Sequence, residues 1–287
     1  MEKNEEKKSR TAKPKWLKSK LPSAAVYSKM KSTLSKGCLN TICESGKCPN
    51  IGECWAHGAA TFMILGESCT RNCRFCAVDH SRPLPPDSSE PQNLSRTVMC
   101  FGLKHCVITS VTRDDLPDEG ARHWAACIES VRKDNPNVTI EVLVPDFHAK
   151  DELIKIVADS TPDIFSHNLE TVRRLTSQIR SGAQYDRSLD TLRIAASMGM
   201  LTKSGIMTGL GETMEEIKQV LNDIKDAGCQ MVTIGQYLQP RYENIEVAKY
   251  YTPEEFEIIR NMALQMGFRH VESGPLVRSS YHSAVPE

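Results

Sequence analysis

From about residue 59 the sequence alternates short apolar runs with longer amphipathic ones. The short runs, Ala60–Leu65, Cys106–Val111, Thr139–Val144, Asp163–His167, Thr202–Thr208 and Met231–Gln236, read as strands. Between them Pro91–Leu103, Glu119–Lys133, Lys150–Asp159, Leu189–Ser197 and Thr213–Ala227 carry helical periodicity, the last ending at Gly228. A further helix is expected near Glu254–Gln265. Strands separated by helices of this length predict βα units and a parallel sheet. About six units fit, too few for a closed eight-stranded barrel. The predicted fold is therefore α/β, a partial (open) parallel β/α barrel, with functional residues at the carboxyl ends of its strands. No internal repeat is visible.

Upstream the pattern is different. Residues 1 to about 36 are rich in lysine and serine with little periodicity, and are expected to form an extended arm over the body. Residues 37–58 are cysteine-rich and punctuated by glycine. They cannot build a core alone, so something must staple them, and a metal cluster would do so. The expected division is an extension over 1–58, the partial barrel over 59–265 and a terminal segment over 266–287. Both extensions are expected to cover the barrel mouth.

Composition narrows the class. The 287 residues are 40% hydrophobic and 25% charged, with zero formal net charge. Such a balance gives no field of one sign to favour nucleic acid or an anionic membrane. No apolar run is long enough to span a bilayer. The opening MEKNEEKKSR lacks the apolar stretch of a secretory signal, and its three glutamates argue against a mitochondrial transit peptide. Cytoplasm is the expected location and a monomer the expected state. In a reducing compartment, clustered cysteines point to metal or redox chemistry rather than disulfides. Of eleven cysteines, seven fall between Cys38 and Cys76; Cys100, Cys106, Cys127 and Cys229 are scattered through periodic segments and read as small buried hydrophobes.

The sharpest signal is Cys69-x3-Cys73-x2-Cys76 in ESCTRNCRFCAV, directly after the first strand. Three thiolates on one loop can converge on a cubane cluster, whereas an ordinary ferredoxin-type 4Fe–4S centre takes four cysteines. One iron then lacks a protein ligand, and an open position is what catalytic metals need. S-adenosylmethionine can fill it through its amino and carboxylate groups. A structural zinc knuckle prefers two pairs of cysteines and fits this spacing poorly. A second triple, Cys43-x4-Cys48-x5-Cys54, lies in CESGKCPNIGECW, where Gly46, Pro49 and Gly52 allow tight turns. Cys38 stands five residues upstream as a possible fourth ligand, and a zinc ribbon is the competing reading.

These residues carry a resemblance to the lipoyl synthase family of radical S-adenosylmethionine enzymes. It runs from about Cys43 to the end, through CPNIGECW, ATFMILG, the three-cysteine loop, ITSVTRDDLPDEGA, HNLETV, TKSGIMTGLGET, TIGQYLQP and GPLVRSSYHSA. The resemblance implies two 4Fe–4S clusters and S-adenosylmethionine. Cys69, Cys73 and Cys76 would hold the radical-generating cluster; Cys43, Cys48 and Cys54 would hold the auxiliary one. It tells against Cys38 and implies that a serine of Arg278-Ser279-Ser280-Tyr281, Ser280, completes the auxiliary set. An alkoxide should hold iron less durably than a thiolate, which suits a cluster that must come apart. The implied reaction inserts two sulfur atoms, at carbons 6 and 8 of an octanoyl chain attached to a lysine of a lipoyl carrier domain. Each insertion uses one deoxyadenosyl radical, and the auxiliary cluster supplies the sulfur. The implied partners are octanoylated carrier domains (E2 subunits of 2-oxoacid dehydrogenases and the glycine cleavage H protein), a flavodoxin- or ferredoxin-type reductant and an iron–sulfur cluster carrier.

The resemblance also nominates cofactor contacts. Gly205, Gly209 and Glu212 lie in GIMTGLGE, where Met207 replaces a usual isoleucine; a plain strand-to-helix turn competes with a role at the adenine. Asn168 and Glu170 are candidates for the ribose and the methionine amino group, against the reading of a solvated helix start. Arg278 is a candidate partner for a carboxylate near the auxiliary cluster. No histidine is assigned a role. Thr112, Arg74 and Ala77 depart from the family's usual aspartate, proline and aspartate, and none is a ligand. Two other activities compete: a radical methylthiotransferase, which usually adds a C-terminal RNA-binding barrel for which nothing after Gln265 has room, and a non-catalytic two-cluster protein with fully ligated metals.

Overall fold

A computed structural model describes residues 13–18, 39–45, 48–56 and 59–280, together with Ser28, Ser32 and Leu34. Each apolar run read from the sequence is a strand. The strands are β2 (Ala59–Ile64), β3 (His105–Ser110), β4 (Thr139–Leu143), β5 (Ile164–Ser166), β6 (Thr202–Thr208) and β7 (Met231–Gln236), joined in sequence order by parallel ladders. Two strands went unread. β8 (His270–Gly274) continues the parallel order beyond β7, and the two-residue β1 (Asn40–Thr41) pairs antiparallel with β2. The eight strands run β1 to β8 across one sheet that does not close. The expected six parallel strands are thus seven. β8 escaped notice because only Val271 along it is buried, so it has no apolar run to display.

The helices cover the outer face. After two short helices, α1 (Ile42–Ser45) and α2 (Ile51–Ala56), come α3 (Glu90–Phe101), α4 (Ala121–Asp134), α5 (Asp151–Asp159), α6 (Arg173–Ile179), α7 (Tyr185–Ser197), α8 (Met214–Asp226) and α9 (Pro253–Gln265). Starts and stops follow local chemistry. Thr213 with Glu216, and Thr252 with Glu255, form reciprocal capping boxes. Gly102 ends α3 in the left-handed conformation. Helix α6 was not anticipated, and α7 begins four residues before the expected Leu189, at the buried Tyr185, whose hydroxyl donates to Asp223 at 2.7 Å. The core divides into two clusters, one built on β2–β4 with α3–α5, the other on β6–β8 with α6–α9.

Charge is also buried within the sheet. Lys203 of β6 donates to Glu141 of β4 at 2.9 Å, Ser166 of β5 donates to the same carboxylate at 3.0 Å, and His105 of β3 lies 3.3 Å from its second oxygen. Burial alone would raise the Glu141 carboxyl, but Lys203 and His105 outweigh it and hold it at about 2. Together with Ser166 they tie the four strands β3 to β6 around one carboxylate, spanning the two shortest ladders of the parallel sheet.

The extensions meet the barrel. Asn50 donates to the Leu276 carbonyl at 2.6 Å, joining the N-terminal cysteine segment to the C-terminal one. The Trp16 indole donates to the Tyr251 carbonyl at 3.2 Å. Cys38 lies outside the described residues.

Lys203→Met leaves Glu141 buried without its cation and should cost about 3 kcal/mol at neutral pH. Because the Glu141 pKa is depressed, its contribution in the wild type is present above the unfolded value of about 4.3. It is lost as pH falls toward 2. Chemical denaturation from pH 7 to pH 3 should therefore show a smaller acid dependence in the variant than in the wild type.

Candidate active site

Strand β2 ends in a turn that aims the cysteine loop. Leu65 and Gly66 both have positive φ, 67° and 94°. The strained Leu65 is held from both sides: its N–H donates to Glu90 at 2.9 Å, and its carbonyl accepts from Arg113 at 3.2 Å. The loop that follows is stitched to four partners. Cys69 N–H donates to the Asp79 carbonyl and Thr70 N–H to the Thr112 carbonyl. Arg74 N–H donates to the Ile179 carbonyl, and the Asn244 amide donates to the carbonyls of Arg74 and Cys76. Backbone N–H groups of Arg71 and Thr112 point at the Cys69 sulfur at 3.4 and 3.3 Å, and that of Val78 at the Cys76 sulfur at 3.4 Å. Donors aimed at thiolate sulfur are what a cluster-bound cysteine uses.

Inside the loop, Arg71 is clamped. Its guanidinium forks onto Asp114 with two 2.8 Å bonds and onto Asp146 with bonds of 3.0 and 2.8 Å. Arg187 at the start of α7 adds a third cation contact to Asp146 at 3.0 Å. Asp146 has no exposure. Burial would raise its carboxyl, but Arg71, with Arg187 behind it, holds it well below the usual carboxylate range. Directly after it, Phe147, His148 and Ala149 all have positive φ. Left-handed geometry costs roughly 1–2 kcal/mol at each such residue. Here it folds the His148 N–H back onto the Asp146 carboxylate at 3.2 Å, while Thr191 donates to the Asp146 carbonyl at 2.9 Å.

Cys69, Cys73 and Cys76 open onto a chamber of about 550 Å³ in the barrel interior, a size suited to a cofactor and a substrate chain. Met63, Val111, Leu143 and Val277 give it an apolar wall, and Asn168, Glu170, Gly205, His167 and Arg180 line it too. Asn168 donates to Glu170 at 3.2 Å. Burial raises the Glu170 carboxyl although Arg180 pulls the other way. His167 donates through Nδ1 to the Val144 carbonyl at 2.8 Å, leaving Nε2 as a buried acceptor without a partner among the described residues. Burial pushes its pKa down to about 4, so the ring is neutral at pH 7. Gly205 is required by packing: a Cβ there would stand 2.6 Å from the Thr233 hydroxyl and 2.8 Å from the Asn168 amide oxygen. Gly209 and Glu212 are not in the chamber wall. The Glu212 carboxylate closes on its own turn, accepting from the N–H groups of Gly209 at 2.6 Å and Leu210 at 2.9 Å, the strand-to-helix turn that the sequence also allowed.

The second cysteine triple gathers in a recess beside the first halves of β2 and β3. Cys43, Cys48, Cys54 and Ser280 share it with Asn50, Ala60, Thr61 and Val107. Ser280 accepts from Thr61 at 2.8 Å. Burial, with the neighbouring Cys48 sulfur, pushes the Cys43 thiol up to about 11, and burial with Cys48 and Cys43 pushes Cys54 to about 12. Burial also pushes Cys76 to about 11 and raises Cys73. As thiols all four are protonated at neutral pH, so a metal must displace protons to bind them. Arg278 borders both recess and chamber. Strand alternation explains the link: Thr61 and Val107 face the recess, while Met63 and Thr109, two residues on and on the same faces, look into the chamber. Two sets of soft donors, each brought to one cavity from separated positions, fit two iron–sulfur clusters. Thr61 and His167 lie within the stretches ATFMILG and HNLETV, but nothing there marked them for a role; Asp146 lies in no such stretch, and for Arg71 its place between two cysteines was the one available hint.

Comparison with known proteins agrees with this geometry. The radical SAM superfamily model matches residues 63–224, and the model of the N-terminal domain of lipoyl synthase matches residues 1–48. Lipoyl synthase of Parabacteroides distasonis is 53% identical over 271 residues, 94% of this chain and 96% of the relative. The chain belongs to the lipoyl synthase family. The lipoyl synthases of Porphyromonas gingivalis and Treponema denticola are 52% and 51% identical, each over 94% of this chain and over 96% and 93% of their own lengths. Among solved structures, methylornithine synthase shares the fold with a TM-score of 0.59 at 15% identity, covering 93% of this chain and 85% of its own. Streptococcus suis SuiB bound to its precursor peptide SuiA does so with 0.60 at 11%, covering 86% and 52%. This member of the lipoyl synthase family is built on an open β/α barrel.

Asp146→Asn removes the charge shared by Arg71 and Arg187 and should cost about 3 kcal/mol of stability. Arg71→Lys keeps the charge but cannot fork onto two carboxylates. Both should reduce retention of the radical-generating cluster, read from its electron paramagnetic resonance signal, and Arg71→Lys should do so with the smaller loss of stability.

Proposed function

We propose that the chain inserts two sulfur atoms, at carbons 6 and 8, into an octanoyl chain carried on a lysine of a lipoyl carrier domain. The observation that supports this most strongly is the continuous inner face on which the two cysteine sets follow one another, with Arg278 bordering both cavities. Cys69, Cys73 and Cys76 hold the radical-generating cluster; Cys43, Cys48, Cys54 and Ser280 hold the auxiliary one. When bound, the first cluster with S-adenosylmethionine supplies a 5′-deoxyadenosyl radical and the second supplies sulfur.

The chain's own residues supply containment and orientation. Met63, Val111, Leu143 and Val277 give an acyl chain an apolar path and keep water from a reactive carbon. Asn168, Glu170 and Arg180 offer an amide, a carboxyl and a guanidinium to the polar groups of S-adenosylmethionine, and the His167 Nε2 accepts a hydrogen bond from a donor on that side. Lys13 and Leu17 of the N-terminal arm border the chamber and help to close it. The enzyme works in the cytoplasm as a monomer, drawing electrons from a flavodoxin- or ferredoxin-type protein and iron–sulfur units from a carrier. No helix among the described residues is long and apolar enough to cross a membrane.

Anaerobic reconstitution should load about eight iron atoms per chain, from two four-iron clusters. Incubation with S-adenosylmethionine, a reductant and an octanoyl-lysyl peptide should release 5′-deoxyadenosine and add sulfur to the peptide by mass. Deoxyadenosine without sulfur on the peptide would point to another radical reaction. Ser280→Ala should keep the radical-generating cluster and lose completed lipoyl product.

A further inference from the structure

Thr61 lies in the stretch ATFMILG, where nothing in the residues assigned it a role, yet it touches the serine of the auxiliary set. It lies on β2, 4% exposed, in the recess that holds Cys43, Cys48, Cys54 and Ser280. Its hydroxyl donates to the Ser280 oxygen at 2.8 Å across 219 positions of sequence. Its backbone N–H and hydroxyl also lie in hydrogen-bond reach of the Cys43 sulfur. A hydroxyl has one proton, and here that proton is directed at Ser280. Ser280 cannot ligate iron as strongly as a thiolate, so it gains most from a partner that fixes its position.

We propose that Thr61 is the positioning residue of the auxiliary site, a latch that holds the Ser280 oxygen toward the three cysteines. The latch rests on the reading of Ser280 as a cluster ligand. It acts in both conditions of the site. With a cluster bound, it supports the serine oxygen as ligand; with the cluster gone, it keeps the C-terminal segment docked for the next one. The neighbouring contacts share this duty: Asn50 holds the Leu276 carbonyl, and Gly235 leaves room where a Cβ would collide with the Val277 carbonyl.

The test uses reconstituted full-length protein as wild type, Thr61→Val, Thr61→Ser and Ser280→Ala. Thr61→Val keeps the branched shape and removes the proton. Iron release to a ferrous chelator is followed together with the electron paramagnetic resonance signal of the radical-generating cluster in the presence of S-adenosylmethionine. The expected result is release of auxiliary iron about tenfold faster in Thr61→Val, as for other residues that support metal ligands. The radical-cluster signal should be unchanged and Thr61→Ser should restore the wild-type rate. Wild-type release from Thr61→Val, or fast release from Thr61→Ser, overturns the latch. Adding Thr61→Val to Ser280→Ala should accelerate release little further, since both act on one contact; equal acceleration in both backgrounds also overturns it. Uptake of only about four iron atoms by the wild type would instead bring down the two-cluster reading itself.

Discussion

The forked contact of Arg71 with Asp114 and Asp146 is the constraint on which the three-cysteine loop depends. A loop carrying three cysteines has every reason to be mobile, and three sulfurs that open onto one chamber keep their places only if the loop is held. Arg71 lies between the first two of those cysteines, so whatever fixes its guanidinium fixes them. It is fixed by carboxylates from two different strand ends, one wholly buried and itself pinned by Arg187 and the His148 N–H. The three left-handed residues after Asp146 are strain of the kind that persists only where the surroundings over-determine it. Here the result is a charge held rigidly beneath the loop.

The second site follows from a different constraint, the period of a strand. Alternate residues of β2 and β3 face inward, so a recess at one level and a chamber at the next lie on one continuous surface. Arg278 lines both cavities. Closing the recess then requires material from elsewhere in the chain. The C-terminal segment provides it, and its close approach to β7 is possible because position 235 is glycine.

Much of this was legible in the residues. Six strands, the helix stop at Gly228 and both cysteine triples could be read because each is a local pattern of period, stop signal or spacing. What escaped was non-local or nearly silent. β8 buries one side chain and β1 is two residues long, so neither has a period to detect. The position of Glu212 in a glycine-rich turn was readable and its orientation was not; its carboxylate turns back onto the N–H groups of Gly209 and Leu210. Asp146, Thr61 and His167 matter through partners 75, 219 and 23 positions away. No window of sequence contains both halves of such a contact.

The bond between Asn50 and the carbonyl of Leu276 spans 226 positions, and that distance has a consequence for synthesis. As the chain emerges from the ribosome, the barrel strands and the first cysteine segment are available long before residues 276–280. The three early thiols therefore wait, incompletely enclosed, until residues 276–280 have been made. A polypeptide that stalls before them would leave that trio of sulfurs without its later cover. The full lining of the recess is in this way tied to the synthesis of residues 276–280.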